Sequence, residues 1–356
     1  VTTATATPAG AGLPGAPAGQ RGAVALRRRR RLVILGLLAL LAVAALASLA
    51  VGAKPIPLPV VWDAIFFPTG TEDGIVVRSL RMPRTVLGIG VGIALGVAGA
   101  LMQGHTRNPL ADPGLLGVSA GAAFLVVIGI YALGVTSLFG YVWFAFAGAL
   151  AASVLVFVLG SLGRGGPTPV TLALAGVAVS ALLTALTSAL VLADTNTLDA
   201  FRFWAVGSVA GRDAGTVVQV APFLGLGLLL AAVNAPGLNL LALGEDIARG
   251  LGQPVQLTRW VGLIAITLLT GAAVAACGPI GFVGLVVPHV ARSLTGPDHR
   301  WLLPASGLAG AVLLLAADVI GRVLVRPAEL QVGIVLALVG APFFIALVRR
   351  RRPASL

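Results

Sequence analysis

The chain has 356 residues, 58% of them hydrophobic and only 10% charged, with a net charge of +12 and a mean hydropathy of +1.02. Soluble domains carry about a quarter charged residues, so the composition excludes an ordinary soluble domain and indicates a polytopic membrane protein. The 47 glycines favour an all-α helix bundle, because small residues let helices approach closely in lipid; a transmembrane barrel would need alternating segments, and these runs do not alternate. The positive charge does not point to nucleic acid: Arg27–Arg31 and Arg349–Arg352 flank the first and last apolar runs, as membrane anchors do.

Residues 1–26, rich in Thr, Ala, Pro and Gly and almost uncharged, read as a disordered cytoplasmic tail. The arginine cluster comes too late for a secretory signal, so 32–51 reads as a retained first span with its N-terminus inside. Pro55, Pro57 and Pro59 break the helix in an external segment, and 60–67 suits a short interfacial helix with Trp62 at headgroup depth. A second span at 85–103 leads to a polar corner, His105 to Pro113, where Asn108-Pro109 and Asp112-Pro113 form a turn that starts the next helix. Further spans are expected at 115–133, 141–162 and 170–192. After an external loop over 194–213 come 216–233, 259–277, a short one at 281–294, 301–320 and 333–348. The sum is about ten spans, both termini inside, in a single transmembrane domain over 27–352. Expected inner loops hold Arg107, Arg164, Arg249, Arg259, Arg292 and Arg300. The expected outer loops nevertheless hold Arg78, Arg81, Arg84, Arg202, Arg212, Arg322 and Arg326, against the positive-inside pattern, and that calls for a functional reason.

A transporter needs an energy source. Lys54 is the one lysine and is followed by Pro, so the chain has no phosphate-binding P-loop and no catalytic residue for ATP hydrolysis is assigned. An ion-coupled carrier would keep a carboxylate within its spans; Asp318 is the one candidate, and its spacing also makes it an i+4 partner for Arg322. A membrane enzyme would need clustered His or acidic residues facing one another, and none is apparent. His105, His289 and His299 are scattered without a metal-ligand spacing, and Cys277 is the single cysteine, so no metal site and no cofactor are expected. What remains is a partner ATPase, with the polar segment at about 238–256 as its handle: a short acidic-basic helix ended by Gly250 and Gly252 suits a groove on another protein, and equally an ordinary connector.

Five blocks then carry a resemblance: RMPRTVLGIGVGIALGVAGALMQGHTRNPLADPGLLGVSAGAA at 81–123, FWAVGS at 203–208, LGEDIARGLG at 243–252, GPIGFVGLVVPHVARSLTGPDHR at 278–300 and AELQVGIVLALVGAPFF at 328–344. In order and over about residues 55–348, they resemble FecCD-type permeases, the membrane subunits of ABC importers for ferric siderophores, haem and cobalamin. The resemblance implies a type II ABC importer permease architecture of ten helices in the bacterial cell membrane. It implies a second permease subunit (homo- or heterodimer), two ATP-binding cassette ATPase subunits and an extracytoplasmic substrate-binding protein, with a ferric siderophore as the expected substrate and haem or cobalamin as the alternatives. Gly244, Glu245, Asp246, Ala248, Arg249, Gly250, Leu251 and Gly252 would couple to the ATPase. Arg81, Arg84 and, less directly, Arg322 would dock the binding protein, presenting rigid charged forks to its carboxylates. The fifth helix, uncharged and small-residued, would line the pathway through Ser180, Thr184, Thr187 and Ser188; the same composition also satisfies plain helix packing. Gln331 stands where the family often has Pro, at an external helix start that tolerates either.

Overall fold

The structure is a computed structural model that describes residues 18–52, 54–67, 70–135, 137–162, 169–326 and 328–350. Most of the expected tail, Arg164 and the last two arginines of the C-terminal run fall outside these residues. The regular elements among the described residues are all helices, the main ones being α1 (Ala18–Ala50), α2 (Leu58–Phe66), α3 (Glu72–Val76), α4 (Met82–Thr106), α5 (Val118–Leu133), α6 (Leu138–Ser161), α7 (Pro169–Ala193), α8 (Thr195–Ala205), α9 (Ala214–Leu241), α10 (Glu245–Gly250), α11 (Val255–Cys277), α12 (Val283–Thr295), α13 (His299–Leu324) and α14 (Val332–Arg350). The ten expected spans correspond to α1, α4 to α7, α9 and α11 to α14. Among the described residues, seven helical spans are long and apolar enough to cross a membrane; α5 and α14 contain shorter apolar helices, and α12 has 13 residues.

Several elements differ from the sequence expectation, each for a local reason. α1 begins at Ala18 and so takes in part of the stretch read as tail; the Ala, Gln and Arg residues there are good helix formers. A π-helical turn, Val77–Arg81, fuses α3 to α4, making one continuous rod over Glu72–Thr106. The stretch 194–213, expected as a loop, contains α8, started by Asp194, which accepts from Thr197 N at 2.8 Å. α9 runs on to Leu241 through Pro222 and Pro236.

The core is built around α4, which packs against α9, α11, α12 and α13. Glycine sets the approach of α4 to α13: a methyl added at Gly96 would meet the Ser306 carbonyl, and one at Gly92 would meet the Ala311 backbone. Gly121 of α5 and Gly148 of α6 abut in the same way. Backbone contact of this kind is how helices gain packing energy where the solvent is itself apolar. α4 and α11 are the most buried spans, while α1, α7 and α9 are largely exposed along one side.

Two ends of the bundle can be told apart. At one, Arg29 Nη2 donates to Ser293 O at 3.1 Å and Arg30 Nε to Thr295 O at 2.8 Å, tying the start of α1 to the end of α12. At the other, Arg322 and Arg81 hold the end of α1. They are called the Arg30 end and the Arg322 end below.

Candidate functional site

At the Arg322 end, helix α1 stops at Ala50, and its last four carbonyls have no partner within the helix. Each finds one. Ala47 O accepts from Val51 N at 2.8 Å. Ser48 O accepts from Arg322 Nη1 at 2.8 Å. Leu49 O and Ala50 O accept from Arg81 Nη1 at 2.7 and 2.8 Å, and Ala50 O also takes Ile56 N at 2.9 Å. Arg322 Nη1 reaches on to Val51 O at 3.0 Å, and Arg81 Nη2 to Lys54 O. Two cations thus sit on the negative end of a helix dipole.

These guanidiniums belong to a larger network. Arg322 Nη2 donates to Asp318 Oδ2 at 2.7 Å, the i+4 pair anticipated from the sequence. Arg84 grips the same carboxylate from α4, Nη2 to Oδ1 at 2.8 Å, and its Nη1 reaches Glu329 Oε2 at 2.7 Å. Ser48 Oγ bridges Arg322 and Thr85 at 2.8 Å each. Asp318 and Arg322 are 1% and 2% exposed, so this ion pair is shielded from water and from salt. Arg81, Arg84 and Arg322 are therefore brought together at one end, as the docking expectation has it, but they are engaged inside the chain. As placed, Arg81 and Arg322 offer no free fork to a partner; Glu329 and the partly accessible edge of Arg84 form the exposed rim.

At the Arg30 end, the coupling candidates form one compact element. Gly244 precedes α10 at φ +115°, a backbone region open to glycine and strained for other residues. Glu245 is held by both neighbours: Arg249 Nη2 to Oε1 at 2.6 Å and Arg259 Nη2 to Oε2 at 2.8 Å. Ala248 is fully buried, anchoring the helix against its base. Gly252 at φ +79° closes it, with Gly252 N donating to Arg249 O at 2.9 Å and Gln253 N to Ala248 O at 3.0 Å. Asp246 is fully exposed. Gly250 has open space around it. The sequence reading missed the apolar side of this element: Leu243, Ile247 and Leu251, spaced by four, are all exposed.

The four pathway candidates fall on one stripe of α7, at i, i+4, i+7 and i+8, but differ in burial. Thr184 and Ser188 are exposed, Ser180 is half-buried, and Thr187 is buried with its hydroxyl donating to Leu183 O at 2.7 Å. Thr184 and Ser188, one turn apart, stand on the open side of the bundle.

Other polar groups sit at positions that carry little signal in the sequence. Asp298 joins three helices: it accepts from Asn239 Nδ2 at 2.7 Å and pairs with Arg30 Nη1 at 3.3 Å, while His299 N donates to Asn239 Oδ1 at 2.9 Å. Partial burial works against the Asp298 carboxylate, but the bonds from Asn239 and Arg300 N and the charge of Arg30 hold it below the usual carboxylate range. His105 Nε2 lies 2.9 Å from the Asn234 amide, so His105 and His299 each have their own amide partner. Among the described residues no three metal-ligating side chains converge. Arg212, between α8 and α9, is buried and has no hydrogen-bond or ion-pair partner among the described residues; burial pulls its guanidinium below the usual value. Its breach of the positive-inside pattern was the one signal available.

A bundle of spanning helices, with a polar network at one end and a short, exposed helix at the other, is consistent with a membrane transport permease. The chain belongs to the FecCD transport family, whose model matches residues 40–350. Among its relatives, the ferric enterobactin transport system permease protein FepD of Escherichia coli (strain K12) is 49% identical over 302 residues, covering 85% of this chain and 90% of that protein. The hemin transport system permease protein HmuU of Yersinia pestis is 40% identical, with 85% and 90% covered. The cobalamin import system permease protein BtuC of Halobacterium salinarum is 42% identical, with 79% and 75% covered. A solved ABC transporter structure assigned to the metal-chelate type, in an inward-facing conformation, matches with a TM-score of 0.79 at 32% identity, covering 89% of this chain and 99% of that one. The chain is thus a permease of an ABC importer.

Proposed function

We propose that this permease carries a ferric siderophore across the bacterial cell membrane, working as a pair with a second permease subunit. Energy comes from two ATPase subunits seated at the Arg30 end, and loaded binding protein is received at the Arg322 end. Both termini then lie in the cytoplasm, with Arg27–Arg31 on the inner side as the positive-inside rule prefers. The observation that carries the substrate choice is the 49% identity to a ferric enterobactin permease over most of both chains. The coupling role rests on α10, whose exposed Ile247 and Leu251 stand on a rigid base of Ala248 and the Glu245–Arg259 pair. A docking role for Arg81, Arg84 and Arg322 would be exerted through the loop geometry they fix.

The decisive experiment is uptake in a deletion strain complemented with this gene, offered radiolabelled ferric siderophores, haem and cobalamin in parallel. Iron accumulation from a siderophore, abolished by deleting the partner ATPase, is the expected result. Uptake of haem or cobalamin alone would keep the importer and replace the substrate.

A further inference from the structure

A second feature of the Arg30 end has no part in the coupling or docking described above. A groove of about 710 Å³ opens between α1, α9 and α13, with α4 as its floor. On the α1 wall stand Ile34 and Leu38, on the α13 wall Pro304 and Leu308, and on the α9 wall Ala232 and Pro236. All belong to helices long and apolar enough to cross a membrane, which sets the groove against lipid. Its walls are apolar, and the small residues of α9 deepen it.

The charges at its mouth say what fills it. Arg27, Arg31, Ile34 and Leu38 follow one another on a single stripe of α1, at spacings of four, three and four residues. Arg300, Pro304 and Leu308 do the same on α13. The α1 and α13 walls therefore each carry exposed arginine where their stripes leave the apolar zone. From Arg300 to Leu308 the helix rises about 12 Å, close to the roughly 15 Å hydrocarbon depth of one leaflet. Arg29 and Arg30 are occupied with α12 carbonyls, but Arg27, Arg28 and Arg31 surround open space.

We propose that this groove is a binding site for an anionic phospholipid. An acyl chain lies between α1, α9 and α13, and the phosphate sits between Arg300 and the Arg27–Arg31 cluster. Charge argues against a second copy of this chain as the occupant, since each copy brings the same arginine-flanked ends and a net charge of +12. A zwitterionic lipid would fill the groove but leave the arginines without a net countercharge.

The test uses the full chain purified in non-ionic detergent, probed by native mass spectrometry and thermal unfolding with phosphatidylglycerol, phosphatidylcholine of the same chains, and glycerol 3-phosphate. Phosphatidylglycerol should be retained and should raise the unfolding temperature; phosphatidylcholine should be retained several-fold less, and glycerol 3-phosphate should not compete. Ala232→Trp, at an exposed position inside the groove, should remove retention of both lipids, while Val233→Trp on the adjoining exposed position should not. Arg300→Gln should weaken retention of phosphatidylglycerol alone, by about fivefold, the worth of one arginine near an anionic headgroup. Equal retention of the two lipids, unchanged retention in Ala232→Trp, or effective competition by glycerol 3-phosphate would each overturn the proposal. So would Ala232→Trp splitting a dimer instead of stripping lipid, which would make the occupant a second copy.

Discussion

Arg322 makes contacts of two kinds at once: it closes the carbonyl end of α1 and it shares Asp318 with Arg84. Removing the carboxylate leaves two guanidiniums facing each other in a nearly dry site. Breaking a buried pair from one side costs about 3–5 kcal/mol, because the remaining charge is uncompensated. Asp318→Asn should therefore lower the unfolding temperature of the purified permease sharply, with no partner present. An ion-coupled carrier would instead show lost transport at unchanged stability, so the same variant separates the two readings. Arg81 admits a parallel test. Glutamate there would set a carboxylate against Leu49 O and Ala50 O, which its arginine now satisfies, and each buried acceptor left unpaired costs about 1–3 kcal/mol. Arg81→Glu should thus destabilise the isolated permease as well as weaken binding-protein affinity. A variant of wild-type stability that loses only affinity would show that docking is the residue's sole duty.

Among the elements, α10 presents an apolar outer side, Ile247 and Leu251, that is exposed. Its base is fixed by Ala248 and Glu245, while Ile247 and Leu251 touch little within the chain. Ile247→Glu should leave the unfolding temperature within experimental error and reduce ATPase co-purification about tenfold, the effect of losing a contact worth 1–2 kcal/mol at an interface centre. Persistence of the complex at wild-type level would remove α10 from the coupling role. This element also shows what the sequence can and cannot say. Its position was legible because a polar stretch bounded by glycines interrupts apolar runs, and the spans were legible because lipid demands about 20 apolar residues in sequence. The i+4 pair of Asp318 and Arg322 was legible for the same reason, being set by helix pitch alone. α8 was not, since its Asp194 cap and mixed polarity look the same in a loop. Nor could the sequence tell that Arg81 and Arg322 turn inward. That depends on where α1 ends relative to α4 and α13, a relation between segments more than 30 and 270 residues apart. The α1 arginines look like plain membrane anchors in the sequence for a similar reason: only the fold brings Arg29 and Arg30 to the carbonyls ending α12.

For the molecule as a whole, the unequal burial of its helices is the feature with most consequence. α4 and α11 are enclosed by protein, whereas α7 shows a long exposed side carrying Leu174, Val177, Leu182 and Leu186 with Thr184 and Ser188 among them. Lipid alone could cover such a side, but hydroxyls of Ser and Thr gain more from a facing helix than from acyl chains. A permease working as a pair would set this side against its partner, with Thr184 and Ser188 near the shared axis and Thr187 turned into its own subunit. The one native cysteine, Cys277, is fully buried, so introduced cysteines can be read against a low background. In membranes containing this permease and no second permease gene, Ser188→Cys or Thr184→Cys should form a disulfide-linked dimer on mild oxidation, because that bond needs the two Cα atoms within about 7 Å. Thr187→Cys should remain monomeric. If Ser188→Cys and Thr184→Cys stay monomeric while Leu40→Cys on the exposed side of α1 cross-links, the subunits meet elsewhere and α7 lines no shared pathway. If none of them cross-links until a related permease chain bearing the matching cysteine is co-expressed, the pair is a heterodimer, with the same helix at its axis.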